Sequence, residues 1–203
     1  ALKMDELVTK HSAIMDKYDP KKNVALVVDE WGIWTDVEPG TNPGFLFQQN
    51  SLRDALIAGS TLNIFHKHAE RVKMANLAQT VNVLQSLILT EKEKMLLTPT
   101  YHVFDMYKVH QDATLLPITF ESPFYVLNGK KIPAVNASAS KDKSGVVHIS
   151  FVNLDNSKSI DVNTDLGNIV FSKADGQILT SANVNDYNSF TEPNKITLAN
   201  FSG

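Results

Sequence analysis

The sequence predicts an α/β segment with parallel strands followed by an antiparallel β-sandwich. Three observations carry this. In the first half, helical and strand-like stretches alternate in the order helix, strand, loop, helix, strand. Within that half, Val24-Ala25-Leu26-Val27-Val28 is apolar without alternation, which suits a strand covered on both faces as in a parallel sheet. Beyond about Gln111 the composition shifts to Asn, Ser, Thr and Asp, and the apolar period changes from helical to two. The halves belong to different fold classes, so the natural cut lies near residues 108–114 and gives segments 1–110 and 111–203.

From about Asp5 to Tyr18, Leu7, Val8, Ile14, Met15 and Tyr18 fall near one helical face, and Pro20 stops the helix. The apolar strand follows the polar turn Asp19 to Asn23, and Asp29 and Glu30 come directly after it. A loop carrying Pro39, Gly40, Pro43 and Gly44 leads to a second helix through about His66, with Ser51 and Asp54 in capping-box spacing. Its buried stripe is Leu52, Ala55, Leu56, Leu62 and Phe65. Val72 to Ala75 is the next short strand. Glu91-Lys92-Glu93-Lys94 reads as a solvated turn or strand end, and a third helix runs from Pro99, at a first-turn position, to about His110. In the second half Val147, Ile149 and Phe151 alternate with polar residues, as do the pairs around Asp161 and Thr197, while Asn128-Gly129 and Asp175-Gly176 signal tight hairpins.

The chain has 203 residues, enough to bury a substantial core, and 43% hydrophobic with 20% charged residues is ordinary for a packed domain. A net charge of -3 offers no basic field for nucleic acid or an anionic membrane, and no stretch reaches membrane-span length. The absence of cysteine excludes a disulfide framework and a thiolate nucleophile but leaves the compartment, cytoplasmic or exported, open. No Gly-x-Ser-x-Gly elbow or phosphate-cradling glycine loop occurs. His66, His68 and Glu70 fall at the end of a helix, where positions i and i+2 diverge, so packing and capping are expected rather than metal binding. His11, His102, His110 and His148 are scattered singly and read as structural or surface groups, and the sequons at Asn136 and Asn200 carry no argument.

The chemistry concentrates at Asp29 and Glu30, at the C-terminal end of a parallel strand where α/β folds place their sites. Trp31 and Trp34 follow. A carboxylate can attack an anomeric carbon, and an indole face packs on a sugar ring, so the cluster suits a sugar-cleaving site; a capping or charge-pairing role for the acidic pair is the plain alternative.

Three separated blocks sharpen this: Asp29-Glu30-Trp31-Gly32-Ile33-Trp34, Leu62 to Gln79, and Thr98 to Tyr107. Their order and spacing over about residues 20–110 resemble the α-L-arabinofuranosidases of glycoside hydrolase family 51. The resemblance implies an eight-stranded (β/α) barrel followed by a β-sandwich, with the chain covering the last barrel strands (1–110) and the sandwich (111–203). It implies that Glu30 is the catalytic nucleophile, that Gln79 contacts the arabinose ring, and that Trp34 lines the leaving-group side, with no metal or organic cofactor. The implied substrate is an arabinose-containing oligosaccharide or polysaccharide, and the implied partners are a second copy of the chain or a complementing N-terminal barrel segment.

A retaining glycosidase needs a second carboxyl group about 5 to 5.5 Å from the nucleophile. In the family it belongs to an Asn-Glu pair well before the nucleophile, yet the carboxylates preceding Glu30 are Asp5, Glu6, Asp16, Asp19 and Asp29, none of which follows an Asn. The expectation is an incomplete fragment lacking the acid/base and inactive by itself. The rival reading is a non-catalytic carbohydrate-binding or structural module centred on residues 111–203, whose aromatic candidates are Phe120, Phe124, Tyr125, Tyr187 and Phe190 and which contains no Trp.

Overall fold

The computed structural model describes residues 1–202. Helix α1 (Leu2–Tyr18) and helix α2 (Leu52–Lys67) pack with strands β1 (Leu26–Trp31) and β2 (Val72–Leu77), which pair in parallel. The hairpin β3 (Ile88–Glu91) and β4 (Lys94–Leu97) leads to helix α3 (Pro99–Tyr107), and a 3₁₀ turn at Lys108–His110 closes the first half. The expected third helix thus ends one turn early and tightens into that turn.

Local chemistry explains the helix starts. The Ser51 N–H donates to Asp54 Oδ2 at 2.8 Å, the reciprocal bond of a capping box, and Thr98 accepts from the Tyr101 N–H with Pro99 at the first position. The core sits where the helices meet the strands: Val8, Leu52, Ala55, Phe65, Val103 and Tyr107 surround Trp31. The Trp31 ring meets Phe65 edge-on at 5.4 Å and stacks with Phe104 at 6.1 Å between centroids. The expectation of a strand covered on both faces is corrected here. Leu26 and Val28 turn toward the core, but Val27 and Met74 are 44% and 56% exposed, because the described helices pack on one face of the pair.

The second half is antiparallel throughout its ladders. Strand β5 (Thr114–Leu116) joins β8 (Val135–Lys141) and β9 (Val147–Asn153) in the order β5-β8-β9. Hairpin β6 (Phe124–Leu127) and β7 (Lys130–Pro133) turns at Asn128-Gly129 as expected, with both turn residues at positive φ. Strand β10 (Asp175–Leu179) pairs with β11 (Leu198–Ser202). Three expectations fail in this half. Ile196 and Thr197 precede β11, so the alternation around Thr197 enters the strand only at Leu198. Ile160 and Val162 lie in irregular chain, and Asp175-Gly176 opens a strand instead of turning. Gly176 faces Phe201 across the ladder, and a Cβ there would fall 2.2 Å from the Phe201 ring, so the ring occupies the space over the glycine.

The two halves meet along α2. A Cβ on Gly59 would lie 2.9 Å from Val152 Cγ2, so the missing side chain lets the helix approach β9 closely. Beside it runs a buried polar seam. Asn63 donates to Asn136 Oδ1 at 2.7 Å, while its own carbonyl oxygen accepts from Ser138 at 2.7 Å and from the Tyr107 hydroxyl at 2.9 Å. Two of the histidines read as single structural or surface groups, His110 and His148, gather here with His66: His66 bonds Ser138, His110 bridges Ser140 and Ser150, and His148 bonds Asp142. The His66 and His110 rings lie 4.6 Å apart.

Candidate active site

The parallel pair β1–β2 has two chemically distinct ends. At its start, Arg71 is 1% exposed and ties the chain together: it donates to Asp19 Oδ2 and to the Val24 carbonyl, both at 2.8 Å, and bonds Asp16. The Asp19 carboxyl is held below the usual carboxylate range, first by the Val24 N–H and then by Arg71. This end is closed structure.

At the other end the register breaks. Val28 pairs with Ala75, and Trp31 pairs with Leu77, so three steps along β1 match two along β2. A bulge of one residue therefore sits at Asp29-Glu30. In a regular strand Leu26, Val28 and Glu30 would share one face, and Glu30 would enter the core. The bulge instead returns Trp31 to the buried face and leaves Asp29 and Glu30 exposed. Contrary to the expected boundary, both carboxylates lie inside the strand. Asp29 accepts from Asn76 Nδ2 at 3.3 Å, across the pair.

Gln79, exposed, follows the end of β2 by two residues, and the Ala78 N–H donates to the Trp31 carbonyl at 2.8 Å, holding the two strand ends together. The peptide between Ala78 and Gln79 is cis. Gly32 follows β1 at φ 147, and a Cβ there would meet the Ala78 carbonyl at 3.3 Å, so a glycine lets the chain turn off the strand at this point. Trp34 stands in the loop beyond, 67% exposed, beside Thr35, Asp36 and Val37. Glu30, Gln79 and the Trp34 loop thus share one edge of the sheet.

The other candidates are used in packing. His66 bonds Ser138, His68 bonds Asp5 at 2.7 Å, and Glu70 pairs with Lys22. Among the described residues no group of three or more His, Cys, Asp or Glu could hold a metal ion. Nor, among the described residues, is any helix long and apolar enough to cross a membrane. In the second half, the Phe124 ring is covered by Lys131 Nζ at 3.8 Å from its centroid, which takes one aromatic candidate face away from a sugar.

Two buried side chains beneath the Trp34 loop escaped sequence reasoning. Gln48 and Gln85, 1% and 0% exposed, hydrogen-bond the backbone around Trp34. A Gln in a loop carries no periodic signal, and nothing local could have found them.

The profile of the alpha-L-arabinofuranosidase C-terminal domain matches residues 29–203. An intracellular exo-alpha-L-arabinofuranosidase of Bacteroides ovatus is 52% identical over 201 residues, covering 98% of this chain and 39% of that protein. The crystal structure of the GH51 arabinofuranosidase from Xanthomonas axonopodis pv. citri superposes with TM-score 0.91 at 54% identity, covering 98% of this chain and 41% of that one. An alpha-L-arabinofuranosidase from Thermotoga maritima in complex with arabinose superposes with TM-score 0.80 at 26% identity, covering 98% of this chain and 42% of that one. The chain therefore spans about two fifths of the length of these relatives.

Proposed function

The chain belongs to the alpha-L-arabinofuranosidase C-terminal domain family, the C-terminal portion of glycoside hydrolase family 51, and from that premise we propose that it forms half of a retaining active site. The reaction is release of terminal α-L-arabinofuranosyl residues from arabinose-containing oligosaccharides or polysaccharides. A Glu30 carboxylate oxygen attacks the anomeric carbon as the bond to the leaving oxygen breaks, and water then resolves the glycosyl-enzyme. Gln79 hydrogen-bonds the sugar, and Trp34 packs against the leaving group. Residues 1–110 belong to the barrel and 111–203 to the sandwich.

One observation carries this reading: the bulge at Asp29-Glu30, which exposes a carboxylate on the strand edge that also holds Gln79 and the Trp34 loop. The acid/base carboxyl would come from outside residues 1–203, because none of the acidic residues before β1 stands at the open end: Glu6 pairs with Lys3 and Lys10 on its own helix, and the others are engaged at the opposite end. Asp16 and Asp19 bind Arg71, and Asp5 binds His68.

Trapping the covalent intermediate tests the assignment. Acid quenching of the full-length enzyme during turnover of an aryl α-L-arabinofuranoside is expected to yield a Glu30-containing peptide heavier by one pentosyl group. A label on another carboxylate, Asp29 included, overturns it. Residues 1–203 alone are expected to be inactive on the same substrate, and turnover that disappears in Glu30→Ala would refute that.

A further inference from the structure

Trp34 is exposed, yet the backbone on both sides of it is held from beneath by buried amides. Gln48 Oε1 accepts from the Thr35 N–H at 2.9 Å, and Gln48 Nε2 donates to the Ile33 carbonyl at 3.1 Å. Those two groups belong to the peptide planes that flank the Trp34 Cα, so one amide fixes both planes and with them the Cα–Cβ direction from which the Trp34 indole projects. Gln85 fixes the next step: its Oε1 accepts from the Ile33 N–H at 2.8 Å.

The anchors are rigid in turn. Gln85 Nε2 donates to the Asp54 carbonyl, in the first turn of α2, at 2.8 Å, and lies 3.3 Å from Thr100 Oγ1 in the first turn of α3. Thr100 and Asn50 exchange bonds at 2.9 and 3.1 Å, and Asn50 also reaches the Ser86 carbonyl. Each glutamine uses its oxygen on an N–H and its nitrogen on a carbonyl, so only one amide orientation satisfies every partner. A surface loop with no role in recognition would not require two side chains buried to this degree beneath a single exposed indole.

We propose that Gln48 and Gln85 are positioning residues that aim Trp34 at the leaving group and thereby set discrimination between leaving groups. The proposal rests on the reading of Trp34 as the leaving-group platform. Gln48 is the stronger determinant, because it alone grips both peptide planes.

The experiment has two arms. In the fluorotryptophan-labelled full-length enzyme, the resonances of buried Trp31 and of Trp34 are assigned with Trp31→Phe and Trp34→Phe. Gln48→Met is expected to shift and broaden the Trp34 resonance while Trp31 holds its position. In the second arm, the full-length enzyme is assayed on an arabino-oligosaccharide and on arabinofuranosyl fluoride, whose leaving group cannot reach Trp34. Gln48→Met should lower kcat/KM about tenfold on the oligosaccharide and less than about twofold on the fluoride. In a Trp34→Ala background it should add no further loss. An unmoved Trp34 resonance, or an undiminished effect in the Trp34→Ala background, overturns the proposal. If Trp34→Ala itself leaves oligosaccharide turnover intact, the leaving-group role of Trp34 and the discrimination built on it both fall, while the fluorine arm still decides whether the amides hold the loop. Should Gln48→Met unfold, seen as collapse of the Trp31 resonance, Gln48→Asn keeps the amide on a stem too short to span both planes and carries the same readings.

Discussion

The two ends of one parallel strand pair do opposite work. At the start of β1 and β2, a buried arginine binds Asp16, Asp19 and the Val24 carbonyl, and polar groups are spent on closing the structure. At the far end a bulge throws Asp29 and Glu30 outward, and the rigidity comes from one layer below, through Gln48 and Gln85. The difference teaches that a side chain can be exposed, as Trp34 is, and still project from a fixed backbone, provided that this backbone is held by groups which are not exposed. It is also the division of labour expected between the two rims of a (β/α) barrel.

The sharpest way to break this comparison is to remove the charge at the open end. Glu30→Gln is expected to lower kcat of the full-length enzyme by more than about a thousandfold. Because Glu30 is exposed, the unfolding free energy of the same variant, measured by urea denaturation, should stay within about 0.5 kcal/mol of the parent. At the closed end the pattern reverses. Arg71→Met orphans Asp19 and the Val24 carbonyl and is expected to lower Tm by roughly 5–10 °C, with kcat changed less than about threefold at a temperature where both proteins are folded.

The seam between the halves gives the next effect. Asn63→Leu removes one donor and one doubly used acceptor, leaving Asn136, Ser138 and Tyr107 short of a partner; the expected loss is about 2–3 kcal/mol by chemical denaturation. A smaller effect follows from its histidines. Burial lowers His66 to about 4, and burial with the neighbouring His66 and His148 lowers His110 to about 4. Unfolded histidine titrates near 6.5, so the unfolded chain binds more protons between those values. Stability is therefore complete above about pH 6.5 and falls as pH drops toward about 4, and the slope of the urea midpoint against pH should flatten in His110→Asn.

Much of the local architecture was legible from residues alone. Ser51 and Asp54 marked the start of α2 because a capping box is a contact across one turn, and Asn128-Gly129 marked a hairpin because both residues tolerate positive φ. Val24 to Val28 marked β1 through apolar content, though not its end, since no local signal separates a strand from its bulge. The same kind of signal misled at Asp175-Gly176, where the glycine serves a cross-strand ring instead of a turn, and at Ile160 and Val162, whose alternation finds no ladder. At the site, three blocks of sequence nominate Glu30, Gln79 and Trp34 for the roles proposed above. Their support was not legible there.

What the sequence by itself determined was the kind of element at each position, the family to which the blocks belong, and the chemistry available at one strand end. Those are properties of neighbours along the chain: apolar spacing, caps, turn residues and motif order. Only the tertiary structure decided that Glu30 faces outward, that His66, His110 and His148 share a seam, and that Gln85 grips Ile33 across 52 positions. A buried amide or imidazole takes whichever partner the fold brings within about 3 Å, and that choice is made by packing, not by spacing along the chain.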